Sequence, residues 1–347
     1  MVNALINKAY YLRARPQGSP AQADLELVEE PVPSLQAGQA LVRTCYLSVD
    51  PTTRVWMSDY PGYLPPAPLG AVMRALGVGQ VVASQRPDLQ AGALVFGWTG
   101  WQEFCVADDT ALISPFVPLP EPLPAPLSAF VGVLGHTGIT AFLGIDLARV
   151  LAGQTLVISG AAGAVGSIAG QLAKVRGARV VGIASGRAKC HHVVKDLGFD
   201  ACVDRSAADW RERLAEALPD GVDVDFENVG GEVMDEVLMH LNLGARVVLC
   251  GMISGYDSLG TDAATGQKAI PQLLMRRASL HGFIVLDHGD RFQEAIEHLA
   301  NLLDSGQLRY DETIVDGLEK APDALNLIFT GANTGKVLVK VSEPQEL

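Results

Sequence analysis

Up to about residue 120 the apolar positions fall in short runs broken by proline and glycine: LELVEEPVPSL, QALVRTCYLSVDP, GVGQVVAS, ALVFGW and WQEFCVAD. No helical period is sustained there, and strands at this spacing predict an antiparallel barrel or sandwich. The proline-rich SPFVPLPEPLP (114–124) can continue neither a helix nor a central strand, so it reads as a connector between domains. The pattern then changes. Short apolar runs TLVIS (155–159), RVVGIA (179–184), ACVD (201–204), VDVDFENVG (222–230) and ARVVLCG (245–251) alternate with helical stretches such as SIAGQLAKVRG. That alternation predicts a parallel sheet with right-handed crossovers, an α/β doubly wound fold. In RFQEAIEHLANLLDSG (291–306), Phe292, Ile296, Leu299, Leu302 and Leu303 make one helical face. A last run, KVLVKV (336–341), has no helical partner and is expected to rejoin the N-terminal strands.

A chain of 347 residues is long for one core and suits two domains. With 19% charged residues and 48% hydrophobic ones, global disorder is excluded. A net charge of −13 with no basic cluster argues against a nucleic-acid partner. No run of about 18 apolar residues occurs, so no membrane span is expected. MVNALINKAYYLRARP lacks the apolar core and cleavage site of a signal peptide, and EPQEL carries no address signal. The five cysteines, Cys45, Cys105, Cys190, Cys202 and Cys250, are scattered with no CxxC pair, which predicts free thiols and a reducing cytoplasm.

Between the first apolar strand and its helix stands Ala161-Ala162-Gly163-Ala164-Val165-Gly166. It fits the dinucleotide frame GxGxxG with Ala161 at the first glycine. Gly163 would admit the pyrophosphate to the backbone, Gly166 would let helix and strand pack closely, and the amides of Ala164 and Val165 lie where the helix opens. The bland alternative is a tight strand–helix turn with no ligand. An NAD site usually ends the next strand with Asp or Glu. This chain instead reads Ile183-Ala184-Ser185-Gly186-Arg187-Ala188-Lys189, with no carboxylate. Ser185, Arg187 and Lys189 predict a pocket for a 2′-phosphate, hence NADP(H) as cofactor. Cations are disfavoured in the first turn of a helix, so their presence there is informative.

Other chemistries find no support. No HExxH pair occurs, and the seven histidines make no metal constellation with the cysteines, so no metal site is expected. No G-x-S-x-G elbow occurs. Cys45 reads as core, as do Trp56, Trp98 and Trp101. His191 and His192 read as a solvated helix face.

The segments LSVDPTTRVWMSD (47–59), SGAAGAVGSIAGQLAK (159–174), LGFDACVD (197–204), FENVGGEVMDEVL (226–238), CGMISGYDS (250–258), LHGFIV (280–285) and GANTGKVLVKV (331–341) carry a resemblance that covers essentially the whole chain. The chain resembles the zinc-free branch of the medium-chain dehydrogenase/reductase superfamily, in its group of prostaglandin reductases, plant alkenal double-bond reductases and bacterial curcumin reductases. MSDYPGYLPPAPLGAVMR is most similar to the bacterial type. The resemblance implies a GroES-like barrel on the substrate side (1–122 and 313–347), a Rossmann NADP-binding domain (123–312) and a homodimer. It implies that Gly163, Ala164, Val165 and Gly166 hold the pyrophosphate and that Lys189 meets the 2′-phosphate. It also implies that Asn228, Cys250, Gly251, Met252, Ile253, Ser254, Tyr256, Phe283, Ile284, Val285 and Asn333 line the cofactor. Departures are Arg205 where relatives often carry tyrosine, His136, Thr137 and Phe142 for methionine, proline and tyrosine, and Asp50-Pro51-Thr52-Thr53-Arg54 for DPYMR.

The reaction so implied reduces a carbon–carbon double bond conjugated to a carbonyl, with hydride passing from NADPH to the β carbon. Charge then grows on the carbonyl oxygen and needs a hydrogen-bond donor. Tyr256 is the candidate donor, and Tyr63, on the loop Tyr60-Pro61-Gly62-Tyr63-Leu64-Pro65-Pro66, a candidate cap over the substrate. Two alternatives stay open: a zinc-free quinone reductase, and a non-catalytic NADPH-binding sensor.

Overall fold

The computed structural model describes residues 5–20, 22–108, 115–259 and 267–345. Residues 1–4 of the N-terminal stretch, Ser114 at the head of the proline-rich segment, and Glu346 and Leu347 of EPQEL lie outside them. By contacts the chain divides into two compact units, Met1–Gly132 with Glu312–Ala332 and Val337–Leu347, and Val133–Asp311 with Asn333–Lys336. The sequence reading places the first boundary earlier, at 122/123.

In the first unit β1 (Ile6–Leu12) pairs antiparallel with β2 (Leu25–Pro31). β3 (Ala40–Val49) pairs antiparallel with β4 (Gly77–Ser84) and with β6 (Phe104–Ala107). β5 (Leu94–Gly97) joins β4 to β7 (Val117–Pro118). The proline-rich segment is therefore more than a connector. It gives the sheet a two-residue edge strand, the one strand position where proline's missing N–H is tolerated. A short helix, α1 (Thr52–Trp56), follows β3. Trp56 and Trp101 are buried with Leu12, Leu47 and Met57, and Trp98 packs against them, as expected of core. Cys45 is buried too, and burial pushes its thiol up to about 11. Arg54 is buried at 2% exposure, and its guanidinium donates to the carbonyls of Pro16 and Gly18.

The second unit opens with α2 (His136–Leu147), then alternates: β8 (Thr155–Ser159), α3 (Gly166–Val175), β9 (Arg179–Ala184), α4 (Arg187–Lys195), β10 (Ala201–Asp204), α5 (Trp210–Ala217), β11 (Val222–Glu227), α6 (Gly231–Met239), β12 (Leu241–Leu249), α7 (Pro271–Arg276), β13 (Ser279–Gly282) and α8 (Phe292–Asp304). All pairings are parallel, in the order β10-β9-β8-β11-β12-β13. Most of the predicted runs become strands because they are apolar on both faces, as a sheet covered by helices on both sides requires, whereas β11 sets Asp223, Asp225 and Glu227 along one of its faces. On α8, Ala295, Leu299 and Leu302 are buried, on the predicted face.

The chain then returns to the first unit through β14 (Glu312–Asp316), α9 (Ala321–Thr330) and β15 (Lys336–Lys340). KVLVKV does join the N-terminal strands: β15 pairs antiparallel with β3, Val337 opposite Val49. Just before it, Gly335 donates its N–H to the Ala162 carbonyl at 2.8 Å, so 333–336 lie beside the glycine turn of the second unit.

Candidate nucleotide site

In a sheet of this order the direction of winding reverses between β8 and β11, and ligands bind outside the carboxyl ends of the strands there. Those ends are Ser159, Ala184, Asp204, Glu227, Leu249 and Gly282. Every candidate cofactor residue except Asn333 follows one of them within a few positions.

After β8, Gly163 donates to the Gly160 carbonyl at 2.9 Å, which closes the turn. A side chain at Gly166 would strike the Gly160 carbonyl oxygen, so only glycine lets α3 start so close to the strand. A side chain at Gly163 would meet only that same oxygen, at 3.1 Å, with open space beyond. Ala164 and Val165 lie between the two glycines at the opening of α3. Asn333 donates to the Gly335 carbonyl at 3.1 Å, which holds its amide in the segment beside this turn.

After β9 and β10 the cations gather. Arg205 donates from Nε to Ser185 Oγ at 2.7 Å. Burial and the charge of Arg205 pull the Lys189 ammonium below its ordinary value. Two like charges held this close repel each other, and an anion between them relieves that cost. The structure thus brings Ser185 and Arg205 into contact, with the Lys189 ammonium within reach of the Arg205 charge. Arg187 is exposed at the start of α4 and forms no ion pair among the described residues. Asp204 is turned to the backbone and accepts from Gly186 N–H at 2.7 Å and from Ser206. A glycine cradle at a helix start, with two cations after the next two strands, fits a dinucleotide that carries an extra phosphate.

His192 departs from expectation. It is no solvated face, because its Nδ1 stands 2.7 Å from Asp196 and its Nε2 2.9 Å from Asp311. Burial pulls the imidazole down, but the two carboxylates outweigh it and hold the pKa above the ordinary value. His191 is exposed, as expected.

The turn after β11 is organised by a residue that the sequence reading passed over. Glu227 is fully buried, and its Oε1 accepts from Ser159 Oγ at 2.5 Å, Val229 N–H at 2.5 Å and Gly230 N–H at 2.8 Å. Its carbonyl accepts from Cys250 and Gly251. Asn228 donates from Nδ2 to the Ser159 carbonyl at 2.8 Å. One side chain therefore ties the ends of β8 and β11 together, while its backbone secures the loop after β12. An acid closing the run VDVDFE was the available signal. Asp225, on the same face of β11, is also fully buried, and neither carboxyl oxygen has a hydrogen-bond partner. Burial, with the charge of Glu227 added, holds that carboxyl well above the usual range. The two acids should respond oppositely. Glu227→Ala strips three donors of their acceptor and is expected to cost about 3 kcal/mol. Asp225→Val removes an unsatisfied polar group and is expected to stabilise by about 1–2 kcal/mol. Urea unfolding reads both, and shifts of the same sign would contradict this account.

The loop after β12 folds back onto that turn. Ile253 N–H donates to the Asn228 carbonyl and Ser254 N–H to the Val229 carbonyl. Cys250 lies at its start, where burial and the charge of Glu227 push the thiol up to about 12. Met252 N–H donates to the Tyr256 hydroxyl oxygen at 3.2 Å, and that oxygen stands where a side chain on Gly251 would touch it. Among the described residues no acceptor takes the phenol's own hydrogen. Burial raises the Tyr256 pKa, so the group stays protonated at neutral pH. After β13, Phe283, Ile284 and Val285 are half-buried, and Phe283 packs over Gly144 of α2. His136 and Phe142 face α8, with ring centroids 5.5 Å from Phe292 and 5.3 Å from His298.

Tyr63 belongs to the first unit. It is 44% exposed, and its hydroxyl is 2.8 Å from Thr52 Oγ1.

Residues 8–114 match the family described as the N-terminal domain of oxidoreductase, and residues 164–301 that described as zinc-binding dehydrogenase. Among the described residues no three His, Cys, Asp or Glu side chains are grouped to hold a metal ion. The chain is 40% identical over 342 residues to the NADPH-dependent curcumin reductase of Escherichia coli (strain K12), covering 97% of each. It is 34% identical over 349 residues to the NADP(+)-dependent 2-alkenal reductase of Nicotiana tabacum, covering 99% of each. Among solved structures, CurA from Vibrio vulnificus in complex with NADPH superposes with a TM-score of 0.91 at 38% identity, over 97% of this chain and all of that one. With its motifs, sheet order and relatives in agreement, the chain belongs to the zinc-free group of the medium-chain dehydrogenase/reductase family that holds the curcumin and alkenal reductases.

Proposed function

We propose that this protein, an NADP(H)-dependent oxidoreductase, reduces the carbon–carbon double bond of α,β-unsaturated aldehydes and ketones. NADPH, when bound, supplies the hydride received by the β carbon. The chain's own part is to hold that cofactor and to stabilise the charge that grows on the substrate oxygen. The observation that carries the reading is Tyr256. Its oxygen is fixed by Met252 N–H, its proton is retained, and that proton is left to donate. The proton for the α carbon comes from water, so no strong acid residue is needed. The cofactor is held by Gly163, Ala164, Val165 and Gly166 at the pyrophosphate and by Ser185, Lys189 and Arg205 at the 2′-phosphate. Arg187 adds charge from the helix start. Asn228, Cys250, Gly251, Met252, Ile253, Ser254, Phe283, Ile284, Val285 and Asn333 complete the lining. Tyr63, on the loop Tyr60-Pro61-Gly62-Tyr63-Leu64-Pro65-Pro66, is the cap over the substrate.

The deciding experiment follows NADPH consumption with a short 2-alkenal, with NADH in parallel and with product analysis. The expected result is rapid NADPH use, slow NADH use and a saturated carbonyl product. Turnover of quinones alone, or tight NADPH binding without turnover of either, overturns the reading.

Free thiols fit a cytoplasmic setting, and among the described residues no helix is long and apolar enough to cross a membrane. The working form is a homodimer built on β13. That strand ends the parallel sheet, and Leu280, Leu274 and Met275 nearby are 39%, 74% and 62% exposed. An unpaired edge flanked by exposed apolar side chains suits a second copy of itself. Sedimentation is expected to give twice the chain mass of 36.7 kDa, and Leu274→Glu with Met275→Glu to give the single mass. A wild-type monomer would refute the dimer.

A further inference from the structure

We propose that Arg74 is the positioning residue of the loop 60–66, and that it sets substrate affinity by holding Tyr63 in place on α1. The inference rests on the reading of Tyr63 as the cap over the substrate.

The loop's composition makes outside support necessary. Between Tyr60 and Leu69 stand Pro61, Pro65, Pro66 and Pro68, none of which has an N–H to give. Such a stretch is rich in carbonyl acceptors and poor in donors, so little can tie it down from within. Two arginines supply the donors. Arg15, which follows β1, donates to the Ala67 carbonyl at 2.7 Å and pairs with Asp59 at 2.8 Å. Arg74, shortly before β4, donates from Nη1 to the Pro65 carbonyl at 2.8 Å and from Nη2 to the Pro66 carbonyl at 3.3 Å.

The guanidinium takes two successive carbonyls at once, which a point charge such as lysine's cannot do with the same geometry. Its Cζ also lies 5.7 Å from the Trp56 ring centre, so the cation rests over an indole face. Trp56 is itself buried and packs on Trp98, with ring centroids 5.8 Å apart, which keeps that face from moving. The tip of the loop is fastened to the same helix, through the Tyr63 hydroxyl on Thr52 Oγ1. Thr52 and Trp56 are the first and last residues of α1, four positions apart, and so lie on one side of it. The helix thus carries the loop at two points, Thr52 under Tyr63 and Trp56 under Arg74. The Tyr63 ring remains exposed while its hydroxyl is held. Arg74 acts on it through the backbone, two residues further along. Without this clamp the loop must be ordered when substrate binds, and that cost falls on affinity, not on hydride transfer.

The test assays the full chain with NADPH and a short 2-alkenal, as Arg74→Met, Tyr63→Ala and the double variant. Arg74→Met keeps an apolar stem over Trp56 and removes the donors. Its KM for the alkenal should rise about tenfold, with kcat and NADPH affinity within about twofold. Tyr63→Ala should raise KM about as much, and the double variant no further, since with no ring to place the clamp has nothing to act on. Chymotrypsin gives a reading independent of activity. Tyr60 is followed by proline and resists it, which leaves the Tyr63–Leu64 bond as the loop's aromatic target. Cleavage there should quicken about tenfold in Arg74→Met while the rest of the chain stays intact. Arg74→Lys, which keeps the charge without the fork, should move KM and cleavage in the same direction by less, and it carries the test if the Met variant does not fold. An unchanged KM in Arg74→Met beside a raised one in Tyr63→Ala overturns the inference and leaves the cap standing. Additive rises in the double variant overturn it too, because Arg74 would then act apart from Tyr63. An unchanged KM in Tyr63→Ala overturns the cap itself, and with it any bearing of Arg74 on substrate.

Discussion

Tyr256→Phe should lower kcat with a 2-alkenal by about 100-fold and leave NADPH affinity within about twofold, since loss of one donor to a growing oxyanion costs about that much. The substitution removes one hydroxyl and keeps the ring. The loop itself is secured by Ile253 and Ser254 on the Asn228 and Val229 carbonyls, so it should hold its place without the Met252 N–H bond. Because burial raises the phenol's pKa, its proton persists throughout the neutral range. Wild-type kcat should therefore stay flat through neutrality and fall only above the ordinary tyrosine value of about 10. A full-rate Phe variant would remove Tyr256 from the chemistry. A large loss of NADPH affinity would make it a cofactor-positioning residue instead.

Replacing Lys189 and Arg205 together by alanine should weaken NADPH by about 100-fold or more and leave NADH unchanged. Each charge-assisted hydrogen bond to a phosphate is worth about 1.5–3 kcal/mol, and 1.4 kcal/mol is tenfold. The wild-type preference for NADPH should also shrink as salt is raised, because Arg205 is partly open to solvent and screened there. Equal losses for both cofactors would mean that the two cations hold α4 and β10 in shape and do not read the phosphate.

How much of this was legible beforehand follows from how local each signal is. TLVIS, RVVGIA and ACVD could be bounded to the residue because each is apolar and ended by glycine, polar or charged residues. β1 was harder, since INKAYYL places Asn7 and Lys8 among its apolar positions. The glycine turn could be read because its geometry is set within six residues. The Ser185–Lys189–Arg205 pocket could be read only in part. Ser185 and Lys189 are neighbours in sequence, whereas Arg205 joins them through the pairing of β9 with β10. Glu227 depends wholly on such a pairing. Glu227 meets Ser159 across 68 positions, and nothing local in either segment announces the other. Arg187 shows the opposite case: its sequence neighbourhood is right, but its side chain points into solvent.

The Gly335–Ala162 hydrogen bond has a bearing on biosynthesis. Chains emerge from the ribosome N-terminus first, at about 5–20 residues per second. The parallel sheet is fully translated once Gly282 has been added, yet its nucleotide turn still lacks the strip 333–336. The antiparallel sheet waits as well, since β14 and β15 both follow the parallel sheet in the chain. Each unit is therefore short of part of its folded contacts until this last stretch has been added. Premature termination before Asn333 is expected to weaken both units, the first through loss of β15 and the second through loss of the strip beside the glycine turn.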